Sequence, residues 1–413
     1  MHITVVGGGV AGLTAALAAA EAGAQVTLYE AHHALGGRGR TTDGPYLANE
    51  GPHVFYTGPM WDWLRRRDLI GPVGRIPLRD AVTFRFRRSG AARALPPRGL
   101  VRLARTDLRK APVDVDFLTW ATGVAGAESA RAAANFIGVV AFHHDPGSLS
   151  AAFVQERLRR VVAVPPGARY LRGGWGQAIE RMARRAREAG VRIETSARVD
   201  ALPAARGPVI VATSLAAART LLGDDSLRWT GGRTTLVDLG LANRRRGRRD
   251  AFIVSDLDAP GWVERFSATS SALAPAGHSL VQAQVPIAPG ESKADGSARA
   301  EELFDLGCPG WRERVAWRRD ALAQDRTGAL DLPGTTWRDR PAIDRGDGVF
   351  LAGDQVAAPG LLGEVAFHSG LEAAGLALRA LRSTSPSSGT SPSSGTSPTS
   401  RTQSTEPLDL KLP

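Results

Sequence analysis

The apolar positions of this chain change rhythm several times. Ile3 to Val6 is a short β-branched run stopped by Gly7, an alanine-rich stretch follows to Ala22, and a second apolar run covers Gln25 to Glu30. Strand, helix and strand in that order predict a βαβ unit. From Gly58 to about Arg169 the spacing predicts helices, with Trp61, Trp63 and Leu64 in one and Asn135 to His143 in another. Between Gly176 and Ala189 the apolar residues Ile179, Met182, Ala183 and Ala186 share one helical face, and Gly190 stops the helix. Strands are predicted at Val191 to Thr195 and Pro208 to Ala212. Thr234 to Val285 alternates as a β-sheet does, Ala298 to Leu306 reads as a helix, and Val349 to Ala380 reads as strand, turn and helix. The expected fold class is α/β and doubly wound, with an α+β segment inserted between returns to the first architecture.

After Arg382 the chain consists mostly of Ser, Thr, Pro and Gly, and Thr384 to Gly389 repeats as Thr390 to Gly395. Residues 383–413 are expected to be a disordered tail, because they have almost nothing to bury; Leu408, Leu410 and Leu412 add a weak docking signal at its end.

At 413 residues the chain exceeds the size that one core usually supports, which favours two domains. No apolar run reaches transmembrane length. Ile3 to Ala20 is not read as a signal peptide, since it lacks a basic start and is broken by Gly7, Gly8, Gly9 and Gly12. A single cysteine, Cys308, excludes an internal disulfide and a cysteine-rich metal site, and fits a reducing cytoplasm. The net charge of +11 rests on arginine, with only Lys110, Lys293 and Lys411 as lysines. The charge is spread, and the cluster Arg244, Arg245, Arg246, Arg248 and Arg249 reads as a solvated turn, so no nucleic-acid partner is expected. A peripheral membrane contact stays open.

Candidate chemistry concentrates at the two ends. Gly7-Gly8-Gly9-Val10-Ala11-Gly12 is a G-x-G-x-x-G turn between a predicted strand and helix. Gly7 permits the turn, Gly9 lets the backbone approach a pyrophosphate, Gly12 lets the helix lie close to the sheet, and Val10 and Ala11 open the helix with free N–H groups. Glu30 ends the second strand, where a carboxylate accepts hydrogen bonds from a ribose. NAD and FAD share this fingerprint. Gly36, Gly37 and Arg38 follow where a loop would fold back over the same pyrophosphate. No second G-x-G-x-x-G is present for NAD(P)H.

These residues, with Gly51-Pro52-His53, Gly348 to Gly353-Asp354, Gly363-Glu364-Val365 and Ser369 to Ala374, resemble the flavin amine oxidase and phytoene desaturase superfamily. The likeness covers residues 1 to about 57, 170–215 and 346–380, and extends to a phytoene-dehydrogenase-like subset through Asp145-Pro146 and Leu149 to Ala151. It implies one non-covalent FAD in a Rossmann-type domain of residues 1–57, 170–215 and 346–382. A substrate domain would be formed by 58–169 and 216–345. By the same likeness Asp354 meets the ribitol, the helix from Gly363, Glu364 and Val365 points at the flavin ring, and a strand near Val199 packs on the adenine. His53 is then the first candidate for a catalytic group. The implied reaction removes a hydride from a C–H bond of a small, apolar metabolite to flavin N5, giving C=C or C=N, with oxygen or a quinone as final acceptor. A non-redox isomerase or cyclase, an amine oxidase and a non-catalytic flavin-binding module are the alternatives. None of the lysines falls where amine oxidases of this kind place a water-holding lysine, which argues against a plain amine oxidase. His143-His144-Asp145 reads as structural, not as a metal site. Trp61, Trp63, Trp175 and Phe367 are candidates for pocket or core.

Overall fold

A computed structural model describes residues 2–51, 54–105, 110–163, 167–202, 207–244, 249–324 and 328–383. Pro52, His53, Arg245, Arg246, Arg248 and the tail beyond Ser383 lie outside the described residues.

Among the described residues, one sheet is parallel throughout. Its order is Val349–Leu351, Val209–Val211, His2–Val6, Gln25–Tyr29, Arg192–Glu194. Strands from three distant stretches of chain therefore form one sheet. The apolar runs of its inner strands are buried on both faces, as a covered parallel sheet requires. One covering layer is the helix Val10–Glu21 with the closing helix Gly363–Ser383. These two lie close because Gly370 faces Ala11, and a Cβ at Gly370 would stand 2.5 Å from the Ala11 carbonyl oxygen. Val199 departs from expectation: no strand forms there, and the residue packs half-buried against this core.

A second sheet runs Val315–Gln324, Arg233–Ala242, His278–Pro286, Gly261–Glu264, Ile253–Asp256, Arg85–Arg88, Ala91–Arg93. One face carries Val237, Val263, Val281 and Ala283 against Leu303 and Phe304 of the helix Lys293–Gly307. Its other face is polar, although it too is buried. The expected helical region contains helices at Pro59–Arg66, Arg98–Arg105, Phe117–Ala125, Ala127–Ala141 and Ala151–Val161. It also holds the hairpin Arg85–Arg88 with Ala91–Arg93, which the spacing did not predict. No described helix is long and apolar enough to cross a membrane.

Candidate functional site

In a doubly wound sheet, ligands bind at the carboxyl ends of the strands where the winding direction reverses. Here that point lies between His2–Val6 and Val209–Val211, and the turns leaving the strands meet there. Gly7 is at φ +108, a conformation in which a side chain is strained, and a Cβ there would stand 2.5 Å from the Ala212 carbonyl oxygen. A Cβ on Gly12 would collide with the Gly7 carbonyl oxygen. Gly9 is different. The nearest atom to a Cβ there is the Gly36 carbonyl oxygen at 4.0 Å, so space lies open above the turn. Gly36 and Gly37 both have positive φ, which folds their loop against Gly8 and Gly9; the Gly36 N–H donates to the Gly8 carbonyl at 2.8 Å. No side chain caps the helix that begins at Val10.

Glu30 is buried beneath this turn. Its Oε2 accepts from the Gly8 N–H at 2.7 Å, and its Oε1 accepts from the His32 N–H at 2.9 Å. Burial works to raise its pKa, but the hydrogen bonds from His32 and Gly8 outweigh it and hold the carboxyl below its ordinary value. Glu30 is therefore an ionised group that organises the glycine turn, with lone pairs left for a ribose.

Arg38 reaches across the cleft to Asp354, and the two form an ion pair between opposite ends of the sequence. Burial works against the Arg38 cation, yet the Asp354 charge more than offsets it. Asp354 also borders a cleft lined by Val140, Arg157, Gly328, Leu362 and Val365. Arg157 is buried, lies over the Phe153 ring at 3.3 Å, and is pushed down to about 10 by burial. Periodicity gave no hint of it, since it reads as one more arginine of an amphipathic helix.

Glu364, expected to face a flavin, is locked in another way. Arg160 donates to both its oxygens at 2.5 and 2.6 Å, and the Leu361 N–H donates at 2.9 Å. The pair fixes the start of the closing helix. Trp61, Trp63 and Phe367 are buried in the first core, the last two edge to face at 5.5 Å. Trp175 stacks on Phe55 at 3.8 Å and lies beside Gly39 and Gly363. Its indole N–H is buried with no hydrogen-bond partner.

Asn49 turns out to be a junction. The helix Gly174–Glu188 starts at Gly173, which has no side chain to cap it. The Trp175 N–H donates instead to Asn49 Oδ1 at 3.1 Å, and the Gly176 N–H to Thr41 Oγ1 at 2.9 Å. The Asn49 carbonyl accepts from Arg319 at 3.2 Å, tying the loop to the second sheet. Asn49→Ala should lower the unfolding free energy by about 2 kcal/mol, the cost of a lost cap and a buried unmet donor, measured by urea denaturation.

Residues 5–67 match the NAD(P)-binding Rossmann-like domain family. No curated protein matches the sequence. Among solved structures, an oxidoreductase from Methanosarcina mazei superimposes with a TM-score of 0.71 at 16% identity, covering 90% of this chain and 99% of that one. Cyclohexylamine oxidase from Brevibacterium oxydans IH-35A gives 0.68 at 16% identity, covering 92% and 99%. The chain shares the fold of these oxidoreductases. Reduced UDP-galactopyranose mutase shares it, at a TM-score of 0.65 and 14% identity over 93% of this chain and 96% of that one. The resemblance drawn from the glycine motifs and the closing helix thus agrees with the architecture of the whole chain.

Proposed function

We propose that the chain is an FAD-dependent oxidoreductase whose cofactor lies in the cleft between Gly9 and Asp354. The observation that carries this reading is the open ground over Gly9 and Gly37, with the Arg38–Asp354 pair at its edge and an uncapped helix at its floor. A dinucleotide fits these groups. The N–H groups of Val10 and Ala11 and the Arg38 guanidinium would meet the pyrophosphate, Glu30 the adenosine ribose, and Asp354 the ribitol. The unpartnered Trp175 indole N–H, on a ring whose Cη2 edge approaches Gly363, supports a polar ligand at the ring end. Gly51, Pro52, His53, Val199, Gly353, Gly363 and Val365 complete the proposed lining, with His53 as a catalytic candidate. The FAD domain would comprise 1–57, 170–215 and 346–382.

Bound there, FAD supplies a two-electron acceptor for a hydride removed from a C–H bond of a small, mostly apolar metabolite, leaving a C=C or C=N bond. The protein's own part is to orient that molecule and exclude water. Oxygen or a quinone would take the electrons onward. A non-redox isomerase is the second reading, favoured by the likeness to UDP-galactopyranose mutase.

Purified chain reconstituted with FAD should show the visible flavin spectrum, and acid precipitation should leave all the colour in the supernatant. Flavin kept in the pellet would refute non-covalent binding. Failure to take up FAD at all would refute the proposal.

A further inference from the structure

The polar face of the second sheet has a composition that packing does not explain. Strand register places Ile253, Glu264, Gln282 and Asp238 in one cross-strand row, and Ser255, Trp262, Gln284 and Leu236 in the next, on the same face. Glu264, Gln282, Gln284, Asp238 and Ser255 are each at most 1% exposed. Asp238 is answered by Arg319 and Gln282. Glu264 has no charged partner among the described residues. Both its oxygens, with Ser255 Oγ, Trp262 Nε1 and Gln282 Oε1, are buried without a hydrogen-bond partner. Buried polar groups are paired in the great majority of cases, so several orphans on one face call for a ligand.

The surroundings show what kind. Trp262 packs with Val140, Leu361, Leu362 and Tyr56, and Val140 and Leu362 also line the cleft at Asp354. Tyr56 and Tyr170 are the titratable groups facing Glu264, and the Tyr170 hydroxyl lies close enough to act on its carboxyl. The nearby charges are spoken for: Arg160 by Glu364, Arg265 by Asp80, and Arg319 by Asp238. An isolated carboxyl without water or a cation holds its proton, and an un-ionised carboxyl is a hydrogen-bond donor.

We propose that Glu264 is the polar anchor of a substrate site beside the Asp354 cleft, where its un-ionised carboxyl donates a hydrogen bond to the carbonyl or hydroxyl oxygen of a neutral, otherwise apolar molecule. Tyr56, Trp262 and Leu361 enclose the apolar part. The assignment rests on the cofactor reading only for the chemistry performed on that molecule. Burial pushes the Glu264 carboxyl up to about 8, against a smaller downward pull from Tyr170, which agrees with the donor role at neutral pH.

The test uses cyclohexanone, a neutral acceptor, and cyclohexylamine, a cation, as probes of the full chain by saturation-transfer NMR. Cyclohexanone should bind at about pH 6 and weaken about tenfold by about pH 9.5, as the carboxyl ionises and the donor is lost. Glu264→Gln keeps an N–H donor and should bind at both pH values without that fall. Glu264→Leu should lose the probe at both. Cyclohexylamine preferred over cyclohexanone, with binding that grows as pH rises, would mean an ionised cation-binding site and overturn the proposal. So would cyclohexanone binding in the parent that ignores pH, a result that stands even if neither variant folds. Flavin content is read from each preparation. Full flavin with probe binding indifferent to Glu264 overturns this inference alone, while absent flavin with the pH-dependent binding intact supports it and overturns the cofactor reading.

Discussion

Asp354→Ala should weaken FAD binding about ten- to a hundredfold, although the residue lies more than 300 positions from Gly9 in the sequence. The loss corresponds to about 1.5–3 kcal/mol, typical of one charge-assisted hydrogen bond, and equilibrium dialysis or fluorescence titration measures it directly. Its partner sharpens the expectation. Asp354 is one of the restraints on Arg38 at the cleft edge, so removing the carboxylate also disturbs the guanidinium proposed for the pyrophosphate. Arg38→Ala should cost a similar amount, and the double variant should cost clearly less than the sum, because the two act as one unit. The adenosine end calls for a different substitution. Glu30 accepts the Gly8 N–H, so Glu30→Ala would disturb the glycine turn itself, whereas Glu30→Gln keeps an acceptor and isolates the charge. Should Asp354→Ala bind FAD as tightly as the parent while Glu30→Gln does not, the C-terminal half of the proposed cofactor site is wrong and the dinucleotide is held by the N-terminal unit alone.

What the sequence disclosed here, and what it hid, follows from where the physical signal lies. The inner strands of the parallel sheet are short, mostly β-branched runs that stop at glycine or turn residues, and burial on both faces keeps them largely apolar, so they stand out. The strands Arg85–Arg88 and Val315–Gln324 do not, because they lie toward the edges of the second sheet and carry arginines on positions open to water. Lacking a clean apolar alternation, they blended with the helical and loop segments around them. Val199 was read as part of a strand through likeness alone, and no hydrogen-bonded strand forms there.

Partners are harder still to read than elements. Gly36, Gly37 and Arg38 announce a turn and a cation, but nothing in their spacing names Asp354 as the acceptor. The Asn49 side chain caps a helix that starts more than 120 residues later, and nothing in its sequence neighbourhood points there. That role becomes visible only once Gly173 is seen to leave the helix uncapped. Glu264 shows no signal at all in one dimension. Its importance comes from cross-strand register, which places it beside Gln282 and Asp238 on a face that is buried without being apolar.

The pair of Arg160 and Glu364 leads to the second large effect. Arg160→Leu should lower the unfolding free energy by about 3–5 kcal/mol, read from the denaturation midpoint at constant slope. Both carboxylate oxygens of Glu364 depend on Arg160, and without it only the Leu361 N–H remains as donor to a side chain 6% exposed. The hydrogen bonds Arg160 donates to Glu364 outweigh burial and hold the Arg160 pKa above its usual value, so the guanidinium stays charged. The stranded charge would lie near Tyr56, which does not neutralise it. Arg160→Leu combined with Glu364→Gln should recover most of the loss, since the cost comes from an uncompensated buried charge more than from missing attraction. The same substitution reaches the proposed cofactor. Glu364 fixes the first turn of the closing helix, which is expected to face the flavin ring, so Arg160→Leu should also reduce FAD content, whereas the double variant should restore it. If Arg160→Leu costs less than about 1 kcal/mol, the pair behaves as a solvated surface bridge and the closing helix is held by its packing on Val10–Glu21 alone.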